Sequence, residues 1–157
     1  MESVFRQATE ADKEGVANVL KQSYNISNIE EGVDAFLDEL QKKYLFVVAE
    51  LDGKIIGIAS SVIHGLPKHG LAELDRIAVL PEFRGTGLSK PLFDFLLDET
   101  KKIYEKRNHK IRKFYLLTHK DNIRAHEFYK KMGFTYETSL KKHYYGNQDE
   151  FVFSMFF

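Results

Sequence analysis

The sequence predicts a mixed α/β sheet with helices packed on its faces. Three observations carry that expectation. An Asp52-Gly53 pair separates two runs rich in β-branched and aromatic residues, the pattern of a tight hairpin. A strand-like run over residues 71–80 passes through a glycine-rich turn into a long segment whose apolar residues step by three and four. A shorter helical segment ends at Gly133, where a C′ glycine belongs, and two more strand-like runs follow it.

Each element has its own reason. Residues 4–8 read as a short strand. Thr9 then opens a helix: it caps the backbone N–H groups that follow, and Asp12 stands three residues on, at the capping-box spacing. Val16, Val19 and Leu20 form one apolar face of that helix. Residues 24–31 are polar and read as a loop, after which Val33, Phe36, Leu37 and Leu40 recur at helical spacing. Residues 44–50 and 54–63 are the two hairpin strands, and the turn between them requires positive φ. Pro81 closes the strand over residues 71–80. The long helix begins near Leu88 and carries Leu92, Phe93, Leu96, Leu97, Ile103 and Tyr104. Pro91 lies in its first turn, where a missing N–H matters least. Residues 114–118 form another buried strand. Asp121 or Asn122 caps a helix with Ala125, Phe128, Tyr129 and Met132 on one face. Residues 134–140 and 151–157 are the last strands, with a hairpin connection over residues 141–150.

Composition narrows the function classes. A chain of 157 residues is long enough to bury a real core, and no repeat or linker divides it, so residues 1–157 are expected to form a single domain. Lys plus Arg number 23 and Asp plus Glu number 23, so no general charge draws the chain to nucleic acid or to an anionic membrane. There is no cysteine, which excludes disulfides, thiolate nucleophiles and Cys-based metal sites. The charged start carries no secretory pattern and no run approaches a membrane span, so the default location is the cytoplasm. The six histidines, His64, His69, His109, His119, His126 and His143, form no tight ligand cluster, so no metal is expected and most are read as surface residues.

The segment Arg84-Gly85-Thr86-Gly87-Leu88-Ser89 has the physics of an anion site. A helix start presents unpaired N–H groups and the positive end of a dipole, and glycines admit a phosphate to the backbone. Arg84 adds a fixed positive charge. The glycines alone fit a purely structural connection equally well. Other nucleotide motifs do not fit: there is no Gly-Lys-Ser/Thr, and Lys90 stands where a dinucleotide fingerprint has its third small residue.

This segment resembles motif A of the GNAT superfamily, Arg/Gln-x-x-Gly-x-Gly/Ala, on Arg84, Gly87 and Ser89, with Ser89 in place of the usual Gly or Ala. Residues 122–134 resemble motif B at Asn122, Ala125, Phe128, Tyr129, Lys131, Gly133 and Phe134. The opening around Phe5 and Asp12 is similar to the first strand and helix start of the same family, so the resemblance covers nearly the whole chain. It implies an acyl-CoA N-acyltransferase fold: a mostly antiparallel sheet of about six to seven strands flanked by about four helices. It implies acetyl-CoA as acetyl donor and no metal. It also implies that the backbone of Ile77, Ala78 and Val79 pairs with the pantetheine arm. The N–H groups of Arg84, Gly85, Thr86, Gly87, Leu88 and Ser89 would wrap the pyrophosphate, and Asn122 joins the coenzyme contacts.

The chemistry then sets its own demands. An amine must lose its proton before it attacks a thioester. A strand N–H, of Ile77 or Val79, can stabilise the oxyanion that forms. The resemblance places Tyr129 by the sulfur as the acid that protonates the leaving thiolate; the structural alternative is a core aromatic beside Phe128. Glu73 and Asp75 share one face of the central strand and are the candidate bases, Asp75 first by its distance from Val79, with a salt bridge as its structural alternative. The expected activity is transfer of an acetyl group to a primary amine, a small amine or polyamine or a peptide N-terminus. A coenzyme-binding sensor without turnover is the alternative.

Three further features bear on the acceptor and on assembly. Glu30, Glu31, Asp34, Asp38 and Glu39 would favour a cationic amine, or simply form an acidic surface helix. Tyr144 and Tyr145 look like the tyrosine loop of protein N-terminal acetyltransferases. The apolar residues 151–157 form either a buried final strand, which is expected, or a homodimer interface.

Overall fold

The hairpin turn behaves as its residues require. Asp52 and Gly53 both take positive φ, 51° and 78°, so the strands on either side meet in a tight antiparallel pair. The computed structural model describes residues 2–157. Its elements are β1 (Val4–Gln7), α1 (Lys13–Ser23), α2 (Ile29–Gln41), β2 (Leu45–Leu51), β3 (Lys54–His64), β4 (Leu71–Val79), α3 (Ser89–Glu105), β5 (Lys113–His119), α4 (Ile123–Met132), β6 (Thr135–Tyr145) and β7 (Gln148–Phe156). The seven strands run in the order β1-β2-β3-β4-β5-β7-β6. β4 and β5 pair in parallel, while β1/β2, β2/β3, β5/β7 and β6/β7 pair antiparallel. The mixed, mostly antiparallel sheet with four helices is therefore observed.

The chain gathers into two compact units, one reaching to Val62 and including Arg76–Ile103, the other made of Ile63–Asp75 and Tyr104–Phe157. In the first, α1 buries Val16, Ala17, Val19 and Leu20, and Phe36 of α2 meets Phe46 of β2 edge-to-face at 4.9 Å. The loop expected over residues 24–31 is shorter than its polarity suggests. Asn28 Oδ1 accepts the Glu31 N–H at 2.9 Å and Glu31 Oε2 accepts the Ser27 N–H at 2.7 Å, so capping starts α2 at Ile29.

Thr9 stands at the N-cap, but of a short 3₁₀ turn, Glu10–Asp12, before α1, and the side-chain bond at this cap runs from its own N–H to Asp12. Asp12 Oδ2 accepts the Thr9 N–H at 2.8 Å, and both carboxylate oxygens accept from Arg6 at 2.8 Å. The Arg6 guanidinium, ahead of the Thr9 N–H, holds the Asp12 carboxyl below its ordinary range. A depressed folded-state value means stability that is present at neutral pH and is lost as pH falls through that value. Arg6 is one-third exposed (34%), which screens the pair. Asp12→Asn is therefore expected to lower stability by about 1 kcal/mol near pH 7. The gap from the parent should close in urea melts below about pH 4.

In the second unit β5 alternates strictly, burying Phe114, Leu116 and Thr118. β7 buries Val152, Phe153 and Ser154, but Phe156 and Phe157 are 60% and 52% exposed, so the expected burial of the terminal run stops short of its end. The last two strands are longer than their pattern indicates: β6 runs to Tyr145 and pairs with Gln148, and the connection shrinks to a two-residue turn. His126 departs from the expected surface position. It is buried between the rings of Phe151 (5.1 Å) and Phe153 (5.4 Å), and its Nε2 donates to the His119 carbonyl at 2.9 Å.

Candidate active site

In the first unit β4 ends at Val79 and a 3₁₀ turn over Pro81–Phe83 leads to the glycines. Gly85 and Gly87 take φ of 78° and 82°, and a Cβ built on either would meet nothing within 4 Å. The glycines are thus needed for backbone conformation, and the space above the turn is open. α3 starts at Ser89, so the first N–H groups of that helix have no intrahelical partners, and Pro91 has none to lose. A groove of about 540 Å³ borders the turn, lined in part by Phe5, Phe83, Thr86, Gly87 and Leu88. Open space at the two glycines and helix-start N–H groups suit an anion at the turn, although Glu2 also borders the groove. Arg84 Nη2 donates to Ser23 Oγ at 3.3 Å and to the Gln22 carbonyl at 3.5 Å, placing its charge at the negative end of α1. Beneath the turn, a Cβ on Gly57 would meet Val79 Cγ1 at 3.1 Å and Leu92 Cδ2 at 3.2 Å. A side chain at Gly57 would force these two groups to shift by a few tenths of an ångström.

The backbone of Ile77 has a partner that the sequence did not disclose. Its N–H donates to the Tyr24 hydroxyl at 3.0 Å, and that hydroxyl donates to the Ile77 carbonyl at 3.2 Å. Tyr24 is the residue just after α1. Its ring lies 4.8 Å from the Arg76 guanidinium, which donates to Glu39 of α2 at 3.0 and 3.1 Å. The sequence offered Ile77 or Val79 as oxyanion donor; at Ile77 a phenol oxygen occupies the N–H.

The second unit holds the acid and base candidates. Tyr129 of α4 is half-buried, edge-on to Phe128 (5.3 Å) and Phe134 (6.1 Å). Burial pushes its phenol up to about 12, so it keeps its proton through the neutral range. Among the described residues its hydroxyl has no hydrogen-bond partner. Asn122 Oδ1 accepts the Ala125 N–H at 3.2 Å and caps α4. Glu73 and Asp75 do share a face of β4, but their surroundings differ: Asp75 is exposed, while Glu73 is enclosed by His64 and Tyr115. Neither His64 nor Tyr115 is marked by spacing or motif, since they stand 9 and 42 residues away in sequence.

The sequence model of the GNAT acetyltransferase family matches residues 13–134, most of the chain and both glycine and tyrosine segments. The chain belongs to the GNAT acetyltransferase family. An uncharacterized N-acetyltransferase of Methanocaldococcus jannaschii is 31% identical over 99 residues, which is 61% of this GNAT chain and 41% of that protein. The match thus spans less than half the length of that relative. The PaiA N-acetyltransferase of Thermoplasma acidophilum, solved with coenzyme A, superposes with a TM-score of 0.73 at 24% identity, covering 100% of both chains. The ribosomal-protein-S18-alanine N-acetyltransferase of Escherichia coli superposes with a TM-score of 0.76 at 21% identity, covering 98% of this chain and 93% of that one. At these identities the solved structures bear on the GNAT fold alone.

Proposed function

We propose that this GNAT chain is an acetyl-CoA-dependent N-acetyltransferase acting on a primary amine, with a peptide N-terminus as the favoured acceptor. The observation that carries the reading is the open glycine turn at the start of α3 in a chain of this family. The N–H groups of Gly85, Gly87, Leu88 and Ser89 would hold the pyrophosphate, the Thr86 N–H being turned to the Phe83 carbonyl at 3.4 Å, and the backbone of Ala78 and Val79 would hold the pantetheine arm. The coenzyme, when bound, supplies an acetyl thioester.

Glu73 is the proposed base. Its carboxylate takes a proton from the acceptor ammonium, and the freed amine forms the new C–N bond as the C–S bond breaks. Tyr129 faces an uphill transfer. Its phenol at about 12 lies some three to four units above an ordinary thiol near 8.5. Complete proton transfer to the leaving sulfur would therefore cost about 5 kcal/mol before any shift of the thiol itself. Tyr129 accordingly stabilises the departing sulfur as a hydrogen-bond donor, and water completes the protonation.

The α2 carboxylates are only partly neutralised: Glu39 pairs with Arg76 and Asp38 with Lys42 (2.9 Å), while Glu31 accepts the Ser27 N–H and Glu30 and Asp34 keep their charge, so the choice of a peptide over a polyamine rests on the tyrosines. Tyr144 and Tyr145, 63% and 52% exposed, offer flat amphipathic surface suited to a peptide. The test is thiol release from acetyl-CoA across short peptides, polyamines and amino acids, with Tyr129→Phe beside the parent. Release that requires a peptide, with kcat reduced about 10- to 100-fold in the variant, is expected. Tight coenzyme binding with no release from any amine would overturn turnover in favour of a coenzyme-binding module.

A further inference from the structure

We propose that His64, the last residue of β3, is a positioning residue that aims the Glu73 carboxylate at the acceptor amine; the proposal rests on the acetyltransferase reading above. His64 Nε2 lies 2.8 Å from Glu73 Oε1. The Tyr115 hydroxyl donates to the same oxygen at 3.4 Å. The His64 and Tyr115 rings lie against each other, 5.9 Å between centroids and 31° apart. Two side chains therefore converge on one oxygen of a carboxylate that is 17% exposed. The other oxygen, Oε2, has no partner among the described residues.

A glutamate side chain has three rotatable bonds, and an unrestrained one presents its lone pairs in many directions. Two donors on Oε1 fix the carboxylate plane and leave Oε2 to receive the proton. An ionised carboxylate only accepts, so His64 must carry hydrogen on Nε2. Burial, and then the Glu73 charge, push the Tyr115 phenol above its ordinary value, which keeps it a neutral donor. Lys113, a cation 5.9 Å from the Tyr115 ring, pairs with Glu137 at 2.7 Å. His64 is 39% exposed, so its own replacement disturbs little packing.

The functional test uses steady-state acetyl transfer by the full chain, with His64→Leu, His64→Gln and Tyr115→Phe. Loss of aim lowers kcat, whereas coenzyme binding draws on other residues. His64→Leu is expected to reduce kcat about 10- to 30-fold while either KM changes less than about threefold. His64→Gln restores a neutral donor and should return kcat to within about threefold of the parent. Tyr115→Phe, losing the longer contact, should have the smaller effect. A second, activity-independent readout is imidazole ¹⁵N NMR: one Nε2–H tautomer in the parent, lost in Glu73→Ala, which removes the acceptor oxygen.

Parent-like kcat in His64→Leu overturns the proposal. So does equal impairment of His64→Leu and His64→Gln, which would make the imidazole itself a proton carrier. A tautomer mixture insensitive to Glu73→Ala also overturns it. A parent with the locked tautomer but no transfer to any amine would instead overturn the acetyltransferase reading, with the pairing intact. Thermal unfolding of each variant separates these outcomes from loss of fold.

Discussion

Glu73→Gln is expected to lower kcat for amine acetylation by about 100- to 1,000-fold, the scale of a lost general base. The substitution keeps shape and an acceptor oxygen for His64 and Tyr115, and removes only the capacity to take a proton. Acetyl-CoA affinity should stay within about twofold, because the glycine turn and β4 backbone are untouched. Asp75→Asn is the matched control. Asp75 is exposed, so its kcat should fall less than about threefold. Thiol release suits both measurements, since a chain without cysteine adds no signal of its own. The reverse pattern, a large loss in Asp75→Asn and none in Glu73→Gln, would return the role to the residue first favoured by position along the strand.

Gly87→Ala is expected to weaken acetyl-CoA binding about 10- to 30-fold by calorimetry. Its φ of 82° costs an L side chain about 1–2 kcal/mol, and the new methyl group projects into the open space over the turn. Backbone strain alone is separated out by Gly53→Ala. Gly53 has nearly the same φ, 78°, and equally open surroundings, but it lies in the β2–β3 hairpin. Both variants should lose comparable stability in denaturant melts, and only Gly87→Ala should lose the coenzyme. Unchanged coenzyme affinity in Gly87→Ala would show that the ligand does not approach this backbone.

What the sequence disclosed was written in local chemistry. Asp52-Gly53, Asn122 and Gly133 each announced a turn or cap because their residue types have few other uses. The coenzyme turn was legible for the same reason, and the family resemblance then organised it. Elements defined by pairing were harder to bound. β6 is exposed along almost its whole length, so no alternation marks it, and only hydrogen bonding to β7 carries it to Tyr145. Buried polar residues were the hardest. Glu150, 3% exposed, is tied to His119, and His126 sits among phenylalanines. Such burial depends on partners far along the chain. The same holds at the site, where Glu73 gathers His64 and Tyr115, and Ile77 gathers Tyr24 from 53 residues away.

The pairing of Ile77 with Tyr24 has a consequence for solvent exchange. Most strand amides exchange with deuterium only when the sheet opens, on the free-energy scale of partial unfolding. The Ile77 N–H is held by a side-chain hydroxyl at 3.0 Å, so rotation of a single phenol suffices to expose it. Its exchange rate is then set by the motion of Tyr24 and by whatever displaces it, rather than by the stability of β4. That one amide is a built-in reporter, able to register a ligand oxygen replacing the phenol while the rest of the strand stays silent.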